Sequence, residues 1–132
     1  MLEKTTDIDV KKKFANLALK WCKHNLGVNK KKKKSIKLFV RIKPQKEGKY
    51  IVFGRYYIDT NSIYVYGLKL LTIHDVVATV IHEYTHYLQS NKKYWEYAKT
   101  HHYSTHPYER QARRNEKKYT SNCLNEISKL II

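Results

Sequence analysis

Cysteine is scarce in this chain: Cys22 and Cys123 are the only two, far apart and without a Cys-x-x-Cys neighbour. That excludes a disulfide framework and a thiolate zinc site, and it fits a reducing, cytoplasmic setting. Long apolar runs are also missing. No stretch approaches the roughly eighteen apolar residues of a membrane span. The opening Met-Leu-Glu-Lys-Thr-Thr-Asp is not a basic segment followed by an apolar one, so neither export nor membrane insertion is expected. Acidic residues are few, 11 against 27 Lys plus Arg, which leaves a net charge of +16.

The basic surplus is uneven, with +12 on residues 1–66 and +4 on residues 67–132. Such a charge favours contact with nucleic acid, phosphates or acidic proteins. The run Lys30 to Lys34, together with Lys11 to Lys13 and Lys43 to Lys49, is the candidate nucleic-acid surface. A lysine-rich solvated surface accounts for the same surplus without any partner. What the chain does have is core material: 42% apolar residues, twelve of its seventeen aromatics being tyrosine. At 132 residues it has room for one domain and one core.

From Asp9 onward, Val10, Phe14, Leu17, Ala18, Trp21 and Cys22 recur at helical spacing, with a stop at Leu26-Gly27. The lysine-rich loop over about 28–35 has no apolar face to bury and is expected to be exposed. Ile36, Leu38, Val40 and Ile42 alternate with polar or outward residues, which predicts a half-buried strand ending before Pro44. After a turn at Lys46-Glu-Gly48, Tyr50 to Ile58 reads as a second strand and Ser62 to Tyr66 as a short third. Thr72 and Asp75 resemble a capping box opening a helix over about 72–90. Residues 91–105 are polar, aromatic and histidine-rich without clear periodicity, and Pro107 opens a last helix to about 130 with a buried stripe of Tyr108, Ala112, Tyr119, Cys123, Ile127 and Leu130.

The chemistry sits in the capped helix. His82-Glu83-Tyr84-Thr85-His86 is a His-Glu-x-x-His pattern, and on a helix its histidines lie one turn apart, so both imidazoles reach one ion. Asp75, Thr79, His82, Glu83, His86 and Gln89 form a polar stripe on an otherwise apolar helix. Buried polar groups are costly unless partnered, and a cation would partner most of this stripe. A catalytic zinc keeps three protein ligands and a water whose pKa it lowers, and Glu83 is placed to remove the proton from that water. For the third ligand, Glu96, His101, His102, His106 and Glu109 all lie downstream.

The pattern resembles the gluzincin metallopeptidases, in which a glutamate on a second helix completes the zinc site. His106-Pro-Tyr-Glu-Arg-Gln-Ala112 is similar to the Glu-x-x-Ala helix of minimal gluzincins and of the ImmA/IrrE-like peptidase domain. The resemblance spans roughly residues 50–120. It implies zinc, one per chain, held by His82, His86 and Glu109, with Glu83 as general base and acid in the hydrolysis of a peptide or protein substrate. It also implies that Ser62, Ile63, Tyr64, Val65 and Tyr66 form the edge strand that pairs with substrate. Tyr103, His106, Tyr108 and Arg110 are candidates for contacting the oxyanion or the substrate. One departure is Arg113, which stands where gluzincins often carry an acid or amide that orients a ligand histidine. Metzincins are excluded, because Gln89 and Lys92 occupy the places of their Gly and third His.

The expected fold is therefore α+β and zincin-like, in a single domain over residues 1–132. It comprises an N-terminal helix, a small three-stranded twisted sheet, the active-site helix and a C-terminal glutamate helix. Two rivals remain. One is a SprT-like protease acting on nucleic-acid-bound proteins, with His101, His102 or His106 as third ligand. The other is a non-catalytic, metal-stabilised binding protein of a virus or mobile element.

Overall fold

The computed structural model describes residues 8–131, so the reading of the first seven residues lies outside it. The architecture is α+β, with four α-helices and a small mixed sheet among the described residues. The first helix, α1 (Ile8–Leu26), buries Phe14, Ala15, Ala18, Leu19, Trp21 and Cys22 and stops at Gly27, whose φ of 84° is a left-handed conformation that suits glycine.

Five short strands follow: β1 (Lys37–Val40), β2 (Gln45–Glu47), β3 (Tyr50–Val52), β4 (Gly54–Tyr57) and β5 (Ser62–Val65). The sheet order is β1-β5-β4, with β1 parallel and β4 antiparallel to β5. The segment predicted as one strand from Tyr50 to Ile58 is in fact two. Its first part, β3, folds back on β2 as a separate hairpin around Gly48 at φ 61°. Its second part, β4, joins the sheet.

The helix α2 (Ile73–Leu88) opens on the anticipated capping box, Asp75 N–H donating to Thr72 Oγ1 at 3.1 Å and Thr72 N–H to Asp75 Oδ2 at 3.4 Å. Val76, Val77, Val80, Ile81 and Tyr84 are buried in one core with Ile63 and Val65 of β5, the apolar face of α1, and Cys123 and Ile127. The last two belong to α4 (Pro107–Ser128). No helix among the described residues is long and apolar enough to cross a membrane.

Four expectations need correction. Residues 91–105 are not irregular: α3 (Asn91–Thr100), N-capped by Ser90, is followed by a 3-10 turn at Tyr103–Thr105. No residue of α3 is fully buried; its half-buried positions are Asn91, Tyr94 and Tyr97, a stripe too short and too polar to stand out in the sequence. Leu130 lies beyond the end of α4 and is exposed, so it is not part of the buried stripe. Lys11 is buried and donates to Leu68 O at 2.8 Å, which removes it from any nucleic-acid surface. Within the lysine run, Lys32 is half-buried and its ammonium reaches Tyr87 O at 2.7 Å and Tyr56 Oη at 3.1 Å. Asn29 Nδ2 adds a bond to Tyr87 O at 3.2 Å, so the start of the loop caps the C-terminal carbonyls of α2.

Candidate metal centre and cleft

Packing α4 against α2 brings three donors together. His82 and His86 come from successive turns of α2, and Glu109 from the first turn of α4, where it is only 2% exposed. Glu109 Oε1 lies 3.2 Å from His86 Nε2 and 3.5 Å from His82 Nε2. One ligand atom from each of the three lies within 4.8 Å of the others, and together they form a group that could hold a metal ion. The donor set, two imidazoles and a carboxylate, suits a transition metal such as zinc.

The far side of each imidazole is tied down. His82 Nδ1 donates to Glu116 Oε1 at 2.9 Å. His86 Nδ1 donates to Gln89 Oε1 at 2.8 Å, and the Gln89 amide in turn donates to Tyr108 O at 3.0 Å and Gln111 Oε1 at 2.8 Å. Both rings therefore keep Nε2 turned to the shared point, the arrangement by which a metal site sets histidine orientation and tautomer. The other oxygen of Glu109 accepts from the Tyr94 hydroxyl. Glu116 takes the role for which position 113 held no suitable residue. It lies seven residues, two helical turns, after Glu109 and so on the same face of α4; that spacing is the signal that could have found it. Arg113 instead donates to Ser104 O at 2.8 Å.

The charges of the site interlock. Burial opposes the imidazolium of His82, but hydrogen bonds to Glu109 and Glu116 outweigh it and push its pKa up to about 10. Burial likewise opposes ionisation of Glu109, yet His82, His86 and Tyr94 hold its pKa far below the usual carboxylate range. Glu83 moves the other way: burial raises its pKa above 4.5, against the pull of both histidines. Two buried carboxyls side by side are thus driven apart, one to hold charge and one to exchange a proton.

A cleft of about 680 Å³ opens on this group, lined by Glu83, His86 and Glu109 in its floor, β4 with Tyr64 and Tyr66 on one side, and Tyr94, Trp95 and Tyr103 on the other. Gly54 is required where β4 crosses α2. A Cβ there would lie 2.5 Å from Thr79 Cγ2 and 3.0 Å from Glu83 Oε2.

The remaining predicted residues fare unevenly. Tyr103 lines the cleft, and its hydroxyl has its pKa raised by burial and by neighbouring Glu109. Tyr108 and Arg110 do not line the cleft; Tyr108 packs on Tyr97 and His106, and Arg110 is exposed. His106 is buried as the N-cap of α4, Nδ1 accepting from Tyr108 N–H at 3.1 Å and Nε2 donating to Tyr94 O at 2.9 Å. Both its nitrogens are engaged, Nδ1 in capping α4 and Nε2 in tying it to α3. His101, His102 and Glu96 are exposed and outside the three-residue group.

The edge-strand expectation fails as well. Ser62 to Val65 is β5, the central strand, paired on both sides, and Tyr66 donates back to Phe53 O at 2.8 Å. The edge strands are β1 and β4, and β4 is the one that lines the cleft. That same bond sets its phase: Phe53, Arg55 and Tyr57 turn their backbone groups towards β5, and Gly54 and Tyr56 turn theirs outward over the cleft. No family model, curated protein or solved structure matches this chain.

Proposed function

We propose that the chain is a zinc-dependent endopeptidase with a minimal gluzincin-like fold. The observation that carries this is the convergence of His82 Nε2, His86 Nε2 and the buried Glu109 carboxylate beside the raised, cleft-facing carboxyl of Glu83. His82, His86 and Glu109 would hold the ion. Bound there, zinc supplies Lewis acidity and a water acidified to near neutral pH.

The chain's own residues do the rest. The outward N–H and C=O groups of Gly54 and Tyr56 pair with an extended peptide, fixing its backbone across the cleft. Glu83 accepts the proton of the attacking water and then delivers it to the leaving amine, a task suited to a carboxyl whose pKa burial has raised. Tyr103, whose hydroxyl stays protonated, donates to the oxyanion that develops on the scissile carbonyl. Glu116 and Gln89 keep both histidines oriented throughout.

The test is elemental analysis of the purified chain combined with cleavage of unfolded protein substrates such as casein. Wild type should carry about one zinc per chain. Glu109→Ala should lose metal and activity together, and Glu83→Gln should keep the metal while losing activity about a thousandfold or more. A wild-type chain without metal refutes the proposal. A Glu83→Gln variant that cleaves normally refutes the role of Glu83 and leaves a metal that only ties α2 to α4.

A further inference from the structure

The cleft does not end at the turn between β4 and β5. A second recess of about 220 Å³ adjoins it, sharing Tyr56, Ile58, Asp59 and Asn91 with the cleft and lined on its far side by Lys31, Lys32, Lys33 and Lys34. The lysine run is held in place from both ends. Asn29 O accepts from Lys32 N–H at 3.1 Å, and Lys34 O accepts from Asn61 Nδ2 at 2.6 Å. Lys32 is spent on α2, whereas Lys31, Lys33 and Lys34 are exposed. Their three ammonium groups outnumber the single carboxylate of Asp59.

We infer that this lysine recess is a substrate subsite, and that the cleft takes peptides carrying a cluster of acidic side chains about four residues from the scissile bond. The spacing follows from β4 itself. Gly54 lies against Glu83 and Ile58 lies at the mouth of the recess, four residues on, or about 13 Å of extended chain. A peptide laid along the open edge of β4 reaches the lysines at that point. A cationic rim carried on backbone that is held there gains from an acidic chain through charge complementarity while the strand edge supplies the backbone bonds. Nucleic acid would use the same charges but has no amide backbone to pair with β4, so the peptide is favoured. The inference takes its scissile bond from the peptidase reading above.

The probe is a fluorescent peptide with a neutral eight-residue centre flanked on both sides by four glutamates, compared with its glutamine counterpart. Binding is followed by anisotropy at low salt to zinc-supplemented Glu83→Gln protein, with and without Lys31→Gln, Lys33→Gln and Lys34→Gln together. The acidic probe should bind at least tenfold tighter, and the triple variant should erase that preference while leaving the glutamine probe's affinity and the melting temperature unchanged. Equal binding of the two probes to the parent, or a preference that survives in the triple variant, overturns the inference. So does a single-stranded oligonucleotide that binds through these lysines and is not displaced by the acidic probe. Wild-type cleavage separates the two readings. A chain that holds no zinc and cuts neither probe, yet keeps the lysine-dependent preference, refutes the peptidase and not the acidic subsite. A chain that cuts both probes equally well refutes the subsite alone.

Discussion

Zinc uptake by this site should be a proton-exchange reaction. In the metal-free chain His82 has its pKa pushed up to about 10 by Glu109 and Glu116, so at pH 7 the imidazolium occupies the position that the metal needs. Three pH units below that pKa, about one site in a thousand has His82 deprotonated, a deficit of about 4 kcal/mol in zinc binding relative to the high-pH limit. Apparent affinity should therefore rise about tenfold per pH unit between pH 6 and 8, and each zinc bound at pH 7 should release about one proton from His82. Calorimetric titration at pH 7 in buffers of different ionisation enthalpy reads the proton count directly, and chelator competition across pH reads the slope. Glu116→Gln should reduce both, because it removes one of the two carboxylates that hold the proton. It should also weaken binding in the high-pH limit by about tenfold to a hundredfold through loss of the His82 tether. A flat pH profile with no proton released would mean that His82 is neutral in the metal-free chain, and the electrostatic reading of the site would be wrong. The same shift carries a stability consequence for the metal-free protein. A pKa raised from 6.5 to about 10 contributes stability that is fully present below 6.5 and is lost as pH rises through about 10. Glu109, lowered from 4.5, contributes stability present above 4.5 and lost as pH falls below it.

Other expected outcomes test separate parts of the structure. Gly54→Ala should depress turnover at least tenfold while zinc content stays near one per chain, because its Cβ meets Thr79 and Glu83 rather than the ligands; loss of metal instead would show that β4 supports the ligands themselves. Tyr94→Phe removes the hydroxyl that holds Glu109 and should weaken zinc about tenfold in competition with a chelator, with an unchanged affinity counting against that role. Phe14→Ala, at a fully buried position of α1, should lower unfolding free energy by about 3–5 kcal/mol in urea. Lys32, its pKa lowered to about 8 by burial, binds fewer protons folded than unfolded, so wild-type stability should gain on that of Lys32→Gln as pH rises from about 8 to about 10.5. A constant difference between the two would show that the ammonium is not desolvated.

The fold was legible wherever one periodicity dominated. The apolar spacing of α1 and α2 and the Thr72–Asp75 capping box marked two helices, and Pro107 marked the start of a third. Sheet topology was hidden. Alternation identifies a strand but not its neighbours; the resemblance implies that the strand before α2 is the edge, whereas β4 folds outside β5. The hairpin of β2 and β3 was invisible because Gln45, Lys46 and Glu47 are polar and carry no alternation. In the site, the His-Glu-x-x-His spacing places His82, Glu83 and His86 on one helix, and the resemblance points to Glu109. The supporting contacts could not be read locally: Tyr94 reaches Glu109 only because α3 folds over the cleft.

Helix α4 ties these levels together. Its inward positions Glu109, Ala112, Glu116, Thr120, Cys123 and Ile127 recur at three- and four-residue spacing along one stripe. The C-terminal half of that stripe anchors in the apolar core through Cys123 and Ile127. The N-terminal half carries the third donor and the carboxylate that orients His82. Ala112, fully buried between them, is small enough to let the two helices approach. A slip of α4 by one residue would rotate the stripe by about 100° and take the carboxylates and the core residues out of place together. Burial of Cys123 and Ile127 thus fixes the rotation that aims Glu109, and the interface that stabilises the domain also positions its candidate ligand. That coupling accounts for how a chain with a single core can hold a partly buried cluster of histidines and carboxylates in register without a separate scaffold.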